Sequence, residues 1–205
     1  MSKRTKSIQI LQDYIEAWYI QIGQDDKNYE RSFLENKKAK VLVFGSYRLG
    51  VHFAGTDIDT ICVFPNFISK EDFLEKFKMF IQGKENISDV ICVQEAQTPI
   101  IKVKVTGIPF DLLFASVDVN FINSQNEIEK LITNEMQFKK LNAVSQRSFN
   151  GYLGTANIQK NVPNYATYRN FLRVIKLWAK RRCIYSAQFG YLSGISCAIL
   201  VANIH

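Results

Sequence analysis

Cysteine and late acidic residues are scarce in this 205-residue chain, and each scarcity closes off a class of explanation. There are four cysteines, Cys62, Cys92, Cys183 and Cys197, and no two of them have C-x-x-C spacing. A zinc site is therefore not expected, and scattered thiols beside apolar residues predict reduced, buried cysteines in an intracellular protein. Acidic residues stop at Glu135. Residues 136–205 hold ten Lys or Arg and no Asp or Glu, while residues 1–135 hold 16 basic against 19 acidic groups. The net charge of +7 thus belongs to the C-terminal part, which is expected to face a polyanion. No apolar signal core follows Met1-Ser-Lys-Arg-Thr-Lys. No run reads as a membrane span. Cys183 to Ile204 carries no formal charge, but it holds three serines, two glycines, a Gln and an Asn. No internal repeat or low-complexity linker divides the chain, and 47% hydrophobic with 22% charged residues agrees with a globular protein.

What is present is concentrated in Phe44-Gly-Ser-Tyr-Arg-Leu-Gly-Val-His-Phe-Ala-Gly-Thr-Asp-Ile-Asp-Thr60. A Gly45-Ser46 turn follows an apolar run, and Asp57 and Asp59 stand at i and i+2. If Asp57 begins a strand, the period of two aims both carboxylates at one side of the sheet. Like charges that close need a cation between them. A glycine-led turn facing that cation would seat a triphosphate on backbone N–H groups. His52 lies inside the motif and is read as structural.

A third carboxylate follows by the same logic. Pro99 to Val105 and Ile108 to Ala115 read as two strands joined by a tight turn at Thr106-Gly107. Phe110, Leu112 and Phe114 alternate on one face, which puts Asp111 on the other with Leu113 and Ala115. A lone carboxylate in so apolar a strand needs a partner. Three aspartates bridging two Mg²⁺ ions about 4 Å apart form a clamp for phosphoryl-type transfer. The residues point to a metal-dependent nucleotidyl transfer site.

Four stretches, FGSYRLGVHFAGTDIDT, PIIKVKVTGIPFDLLFA, SQRSFNG and YRNFLRVIKLWAKRRCIYSAQFGYLSGISCAIL, run in order from near Val41 to the last residue. Together they resemble the nuclear poly(A) polymerases of eukaryotes, in the nucleotidyltransferase superfamily that includes DNA polymerase beta. The resemblance implies an α+β fold: a mixed-sheet catalytic palm over residues 1–118, then the first helices of an all-helical central domain over 119–205. It implies template-independent transfer of AMP from ATP to an RNA 3′-hydroxyl, with two Mg²⁺ (or Mn²⁺) ions held by Asp57, Asp59 and Asp111. The implied nucleotide contacts are Phe44, Gly45 and Ser46 at the turn, Lys176 at the triphosphate and Tyr185 and Asn150 at the cleft. Gly194 and Ile195 would line the adenine pocket. RNA, ATP and 3′-end processing factors are the implied partners, and the nucleus is the implied location. Ser193 and Ala187 depart from the family, which usually has Gly and Asn there, and both bear on base choice. Family members also continue well beyond this length, so the chain is expected to be a fragment or a truncated product.

The remaining pattern gives an order of elements. Ile8, Leu11, Ile15, Trp18 and Ile22 predict an amphipathic N-terminal helix, and Asp25 to Lys38 a loop with a short helix. Strands are expected near Lys40–Phe44, Asp57–Phe64, Asp89–Gln94, Ile100–Val105 and Pro109–Ala115. A helix should open at Ser69, capped reciprocally with Asp72, and the pattern after Val119 is helical. In Tyr165 to Arg182, residues Tyr168, Phe171, Leu172, Ile175, Trp178 and Ala179 are expected to pack inward, while Arg169, Arg173, Lys176 and Lys180 form a basic ridge. Three alternatives stand beside adenylyl transfer: a terminal transferase preferring another nucleotide such as UTP, a transferase acting on a small molecule or protein, and an inactive truncated paralogue that binds RNA or a partner subunit.

Overall fold

The computed structural model describes residues 2–96, 98–185 and 190–204, so Ala187 lies outside the described residues. Helix α1 (Lys3–Asp25) starts at Ser2, whose hydroxyl accepts the Thr5 N–H at 3.2 Å. Its predicted stripe, Leu11, Ile15, Trp18 and Ile22, is buried. After α2 (Arg31–Asn36) come β1 (Lys40–Val43), the short α3 (Gly45–Arg48) and β2 (Ile58–Pro65). A π-helical turn, Asp72–Phe77, then runs into α4 (Lys78–Ile81). The expected Ser69–Asp72 reciprocal cap forms. Ser69 Oγ accepts the Asp72 N–H at 3.0 Å, and Asp72 Oδ2 accepts the Ser69 N–H at 3.1 Å.

Strands β3 (Ile87–Val93), β4 (Ile100–Val105) and β5 (Ile108–Val117) complete a five-stranded mixed sheet in the order β1-β2-β5-β4-β3. Strands β2 and β5 are parallel, and the other neighbours are antiparallel. The two parallel strands are covered on both faces, which is why β2 reads as a nearly unbroken apolar run. On one face Ile58, Cys62, Phe64, Phe110, Leu112 and Phe114 pack with Leu11, Ile15 and Trp18 of α1. The phase predicted for β5 is thus observed. On the other face Ile61, Val63, Ala115 and Val117 pack on Ile128 and Leu131 of α5 (Gln125–Thr133). After α6 (Glu135–Lys139), α7 (Ala143–Asn161) adds Phe149 and Tyr152 to the same cluster.

Helix α7 outruns the sheet, and its far end joins a third cluster. There Ile158 meets Leu49 and Val51 from the segment after α3, Tyr168 and Leu172 of α8 (Tyr165–Arg181), and Ala198 and Val201 of α9 (Gly194–Ile204). In α8 the buried positions are Tyr168, Leu172, Lys176 and Ala179. Phe171 and Trp178, expected inside, are exposed at 41% and 52%. The helix is turned about its axis so that Lys176 faces inward to the Val51 carbonyl, and this moves the neighbouring Phe171–Trp178 stripe outward. Among the cysteines, Cys62 and Cys197 are buried and Cys92 is partly covered. Cys183, contrary to expectation, is exposed in the turn where the chain leaves α8, at a left-handed position (φ 56°). Among the described residues no helix is long and apolar enough to cross a membrane.

Candidate active site

Parallel pairing of β2 with β5 makes Asp59 and Asp111 register partners, side by side on adjacent central strands. Asp57 is exposed and immediately precedes β2, which begins at Ile58, one residue later than the spacing suggested. Burial, and the Asp111 and Asp57 carboxylates facing it, push the Asp59 carboxyl up to about 6. Burial also raises Asp111, against the pull of Lys102 at 3.5 Å. Among the described residues no three His, Cys, Asp or Glu side chains form a ready-made ligand set. Asp111 is paired with Lys102, and Asp57 stays at the surface. What the sheet assembles is a group of mutually repelling hard oxygen donors, the donor type that divalent cations such as Mg²⁺ and Mn²⁺ prefer.

The turn lies against this group. Phe44 N–H donates to the Asp59 carbonyl at 3.0 Å, and Gly45 adopts φ +62°. A Cβ on Gly45 would stand 2.2 Å from Asp59 Oδ2, so only glycine lets the turn approach this carboxylate. Gly45 N–H donates to Thr155 Oγ1 of α7 at 3.0 Å, and the same hydroxyl donates to the Gly151 carbonyl at 3.0 Å. The C-terminal end of α3 is tied to α7 as well. Arg48 Nε donates to Gln159 Oε1 at 3.0 Å, and its guanidinium lies 4.1 Å over the Tyr152 ring. Opposite, Gly151 passes so close to the Phe44 ring that a Cβ there would be 2.6 Å from Phe44 Cε2.

A cavity of about 420 Å³ opens on the Asp59 side, between α3, α7, α8 and α9. Of the residues singled out in the sequence, Phe44, Gly45, Ser46, Asp59, Lys176, Tyr185, Gly194 and Ile195 line it. Asn150 is exposed on α7, one residue before Gly151, which is part of the lining. Lys176 is 5% exposed and donates Nζ to the Val51 carbonyl at 3.4 Å. Burial, followed by the neighbouring Lys180, lowers its pKa. Tyr185 is held close to α9, since a Cβ on Gly194 would lie 2.7 Å from its hydroxyl. Ser193, where the family usually has glycine, caps α9 by accepting the Ser196 N–H at 3.2 Å. Thr155, Leu49 and Val51 complete walls that the sequence did not announce. For Thr155 the one available signal is its i+4 spacing from Gly151 on α7. Asp57 and Asp111 instead line a second depression of about 450 Å³ with Lys102, Lys104 and Ile91. The aspartates therefore stand between two clefts.

Comparisons with known proteins identify the family. The poly(A) polymerase nucleotidyltransferase domain matches residues 1–162, and the poly(A) polymerase central domain matches 167–205. The poly(A) polymerase of Dictyostelium discoideum is 38% identical over 202 residues, and poly(A) polymerase PAPa of Candida albicans is 33% identical over 202 residues. Both alignments cover 98% of this chain, which spans 24% and 36% of those proteins respectively. Among solved structures, the Cid1 poly(U) polymerase with Mg 3′-dATP bound superposes with a TM-score of 0.57 at 20% identity, over 97% of this chain and 48% of that one. The polymerase core of TRAMP, an RNA surveillance complex, gives 0.53 at 20%, over 98% and 50%. The two superpositions establish the fold alone. With the aspartate-bearing sheet, the glycine-led turn and both family matches in place, the chain belongs to the poly(A) polymerase family of nucleotidyltransferases.

Proposed function

We propose that the chain carries a template-independent adenylyl transfer site, which moves AMP from ATP to the 3′-hydroxyl of RNA and releases pyrophosphate. The observation that carries this reading is the placement of Asp59 and Asp111 side by side between two clefts. The nucleotide occupies the 420 Å³ cavity, with its triphosphate at the Gly45-Ser46 turn and Lys176 and its base toward Tyr185, Gly194 and Ile195. Asn150 contributes from the rim. The RNA end enters from the Asp111 side, where Lys102 and Lys104 stand paired with Asp111 and Asp89. In this division the palm, residues 1–118, supplies the aspartates, and the helical part, 119–205, closes over the nucleotide. The nucleus is the proposed place of action, on the family alone.

Asp57, Asp59 and Asp111 would hold Mg²⁺ or Mn²⁺, which would supply charge neutralisation at the triphosphate and acidity to the attacking hydroxyl. The 3′-oxygen forms a bond to the α-phosphorus. The bond from that phosphorus to the bridging oxygen breaks, and the hydroxyl proton passes to the Asp111 carboxylate. Lys176, buried with the Asp59 carboxylate among the charges that act on it, meets the charge that builds on the leaving pyrophosphate.

Extension of an oligo(A) RNA with each of the four nucleotides separately, and with RNA omitted in one arm, tests the reading. ATP-selective, RNA-dependent extension is expected. Preference for UTP overturns the adenylyl assignment, and transfer without RNA overturns the acceptor. A folded chain that incorporates nothing overturns the proposal that these residues form a working site.

A further inference from the structure

The first two turns of α1 touch both segments that carry the aspartates. Arg4 donates Nη2 to the carbonyl of Thr56, the residue before Asp57, at 3.1 Å, and its guanidinium lies 5.9 Å from the Tyr47 ring centre. One turn later the buried Ser7 hydroxyl bonds the hydroxyl of Thr106, in the β4–β5 turn that feeds the Asp111 strand. Thr106 is itself in the left-handed region at φ 52°, a conformation that a β-branched residue holds only when its surroundings impose it.

Asp59 and Asp111 are placed by the strand ladder, but Asp57 is not. The ladder begins at Ile58, paired with Phe110, and Asp57 lies ahead of it. Before Asp57, residues Phe53 to Thr56 close a local turn in which the Thr56 N–H and hydroxyl both donate to the Phe53 carbonyl, at 3.3 and 2.8 Å. The Thr56 carbonyl, one bond from Asp57, is taken by Arg4. We propose that Arg4 is a positioning residue of the aspartate group: it fixes the Thr56 carbonyl and thereby sets Asp57 against Asp59 and Asp111, with Ser7 bracing the Asp111 hairpin from the same helix. The inference rests on the reading of the three aspartates as ligands of a divalent cation.

The brace and the charge of Arg4 act with opposite signs. A cationic guanidinium near the site repels a divalent cation, so loss of the charge alone would tighten cation binding. Loss of the brace would loosen it, because the ligands no longer converge. Mn²⁺ titration of the full chain, followed by the electron paramagnetic resonance of free Mn²⁺, separates the two. Arg4→Met is expected to weaken Mn²⁺ binding roughly tenfold, the order seen when outer-shell support of a ligand is lost. Arg4→Gln, whose amide ends two bonds short of the Nη2 position, is expected to weaken binding as Met does, and it serves if the Met variant does not fold. Arg4→Lys, which keeps a long donor for the Thr56 carbonyl, is expected to return binding to near the parent affinity. Unchanged or tighter binding by the Met or Gln variant, or an Arg4→Lys variant no better than they are, overturns the positioning role. Asp59→Asn is the control. If it binds Mn²⁺ as the parent does, the cation reading fails and the role of Arg4 fails with it.

Discussion

Gly45 and Asp59 are in contact across the site, with the glycine backbone so near the carboxylate that a methyl group on it would stand 2.2 Å from Oδ2. Gly45→Ala is expected to cost about 1–2 kcal/mol for the left-handed backbone alone. Displacement of Asp59 is expected to lower turnover on the order of a hundredfold. Thermal unfolding and steady-state kinetics on one preparation check this. A turnover that falls no further than the lost stability accounts for would separate the turn from the carboxylate.

The Asp59 carboxyl titrates at about 6, raised by burial and by Asp111 and Asp57. The folded state therefore holds this proton more tightly than the unfolded chain does. Its contribution to stability is complete below the ordinary carboxylate range and is lost as pH rises toward 6. Metal-free Asp59→Asn is expected to be more stable than the parent above that pH, with the difference shrinking on acidification. Unfolding curves in EDTA across this range measure it. A parent that gains on Asp59→Asn as pH rises would reverse the sign.

Among the described residues, the buried Lys176 ammonium donates to a backbone carbonyl at 3.4 Å. A buried cation so weakly paired costs stability, and in the proposed site it would face the triphosphate. Lys176→Met is expected to leave the unfolding midpoint unchanged or raised. A lost charged hydrogen bond of roughly 1.5–3 kcal/mol would weaken ATP binding by roughly tenfold to a hundredfold. Calorimetric titration with ATP reads the second effect. Unaltered ATP affinity would remove Lys176 from the nucleotide site.

The rotation of α8 predicts a contrast between two of its apolar residues. Leu172→Ala is expected to destabilise by about 2–5 kcal/mol, as a buried truncation does. Trp178→Gln is expected to stay within about 0.5 kcal/mol of the parent. Iodide should quench the exposed Trp178 and spare the buried Trp18. A Trp178 shielded from iodide would restore the inward packing.

The sheet was legible because its strands announce themselves by period two and by one unbroken apolar run. The same alternation places Asp111 on the face opposite Phe110 and Leu112. Helix α8 was harder, since Phe171, Val174 and Trp178 form an apolar stripe beside Tyr168, Leu172 and Ala179. Periodicity does not choose between adjacent stripes, least of all when the buried one contains a lysine. The contacts of Thr155 with Gly45 and of Arg4 with Thr56 left no local trace, because they join residues 110 and 52 positions apart.

Incorporation of labelled AMP into oligo(A) RNA by the parent and by Asp111→Ala, with circular dichroism on both, tests the central claim most directly. The account predicts incorporation by the parent and none by the variant, with superimposable spectra. Incorporation that survives Asp111→Ala would contradict the assignment of the paired aspartates as the centre of the chemistry.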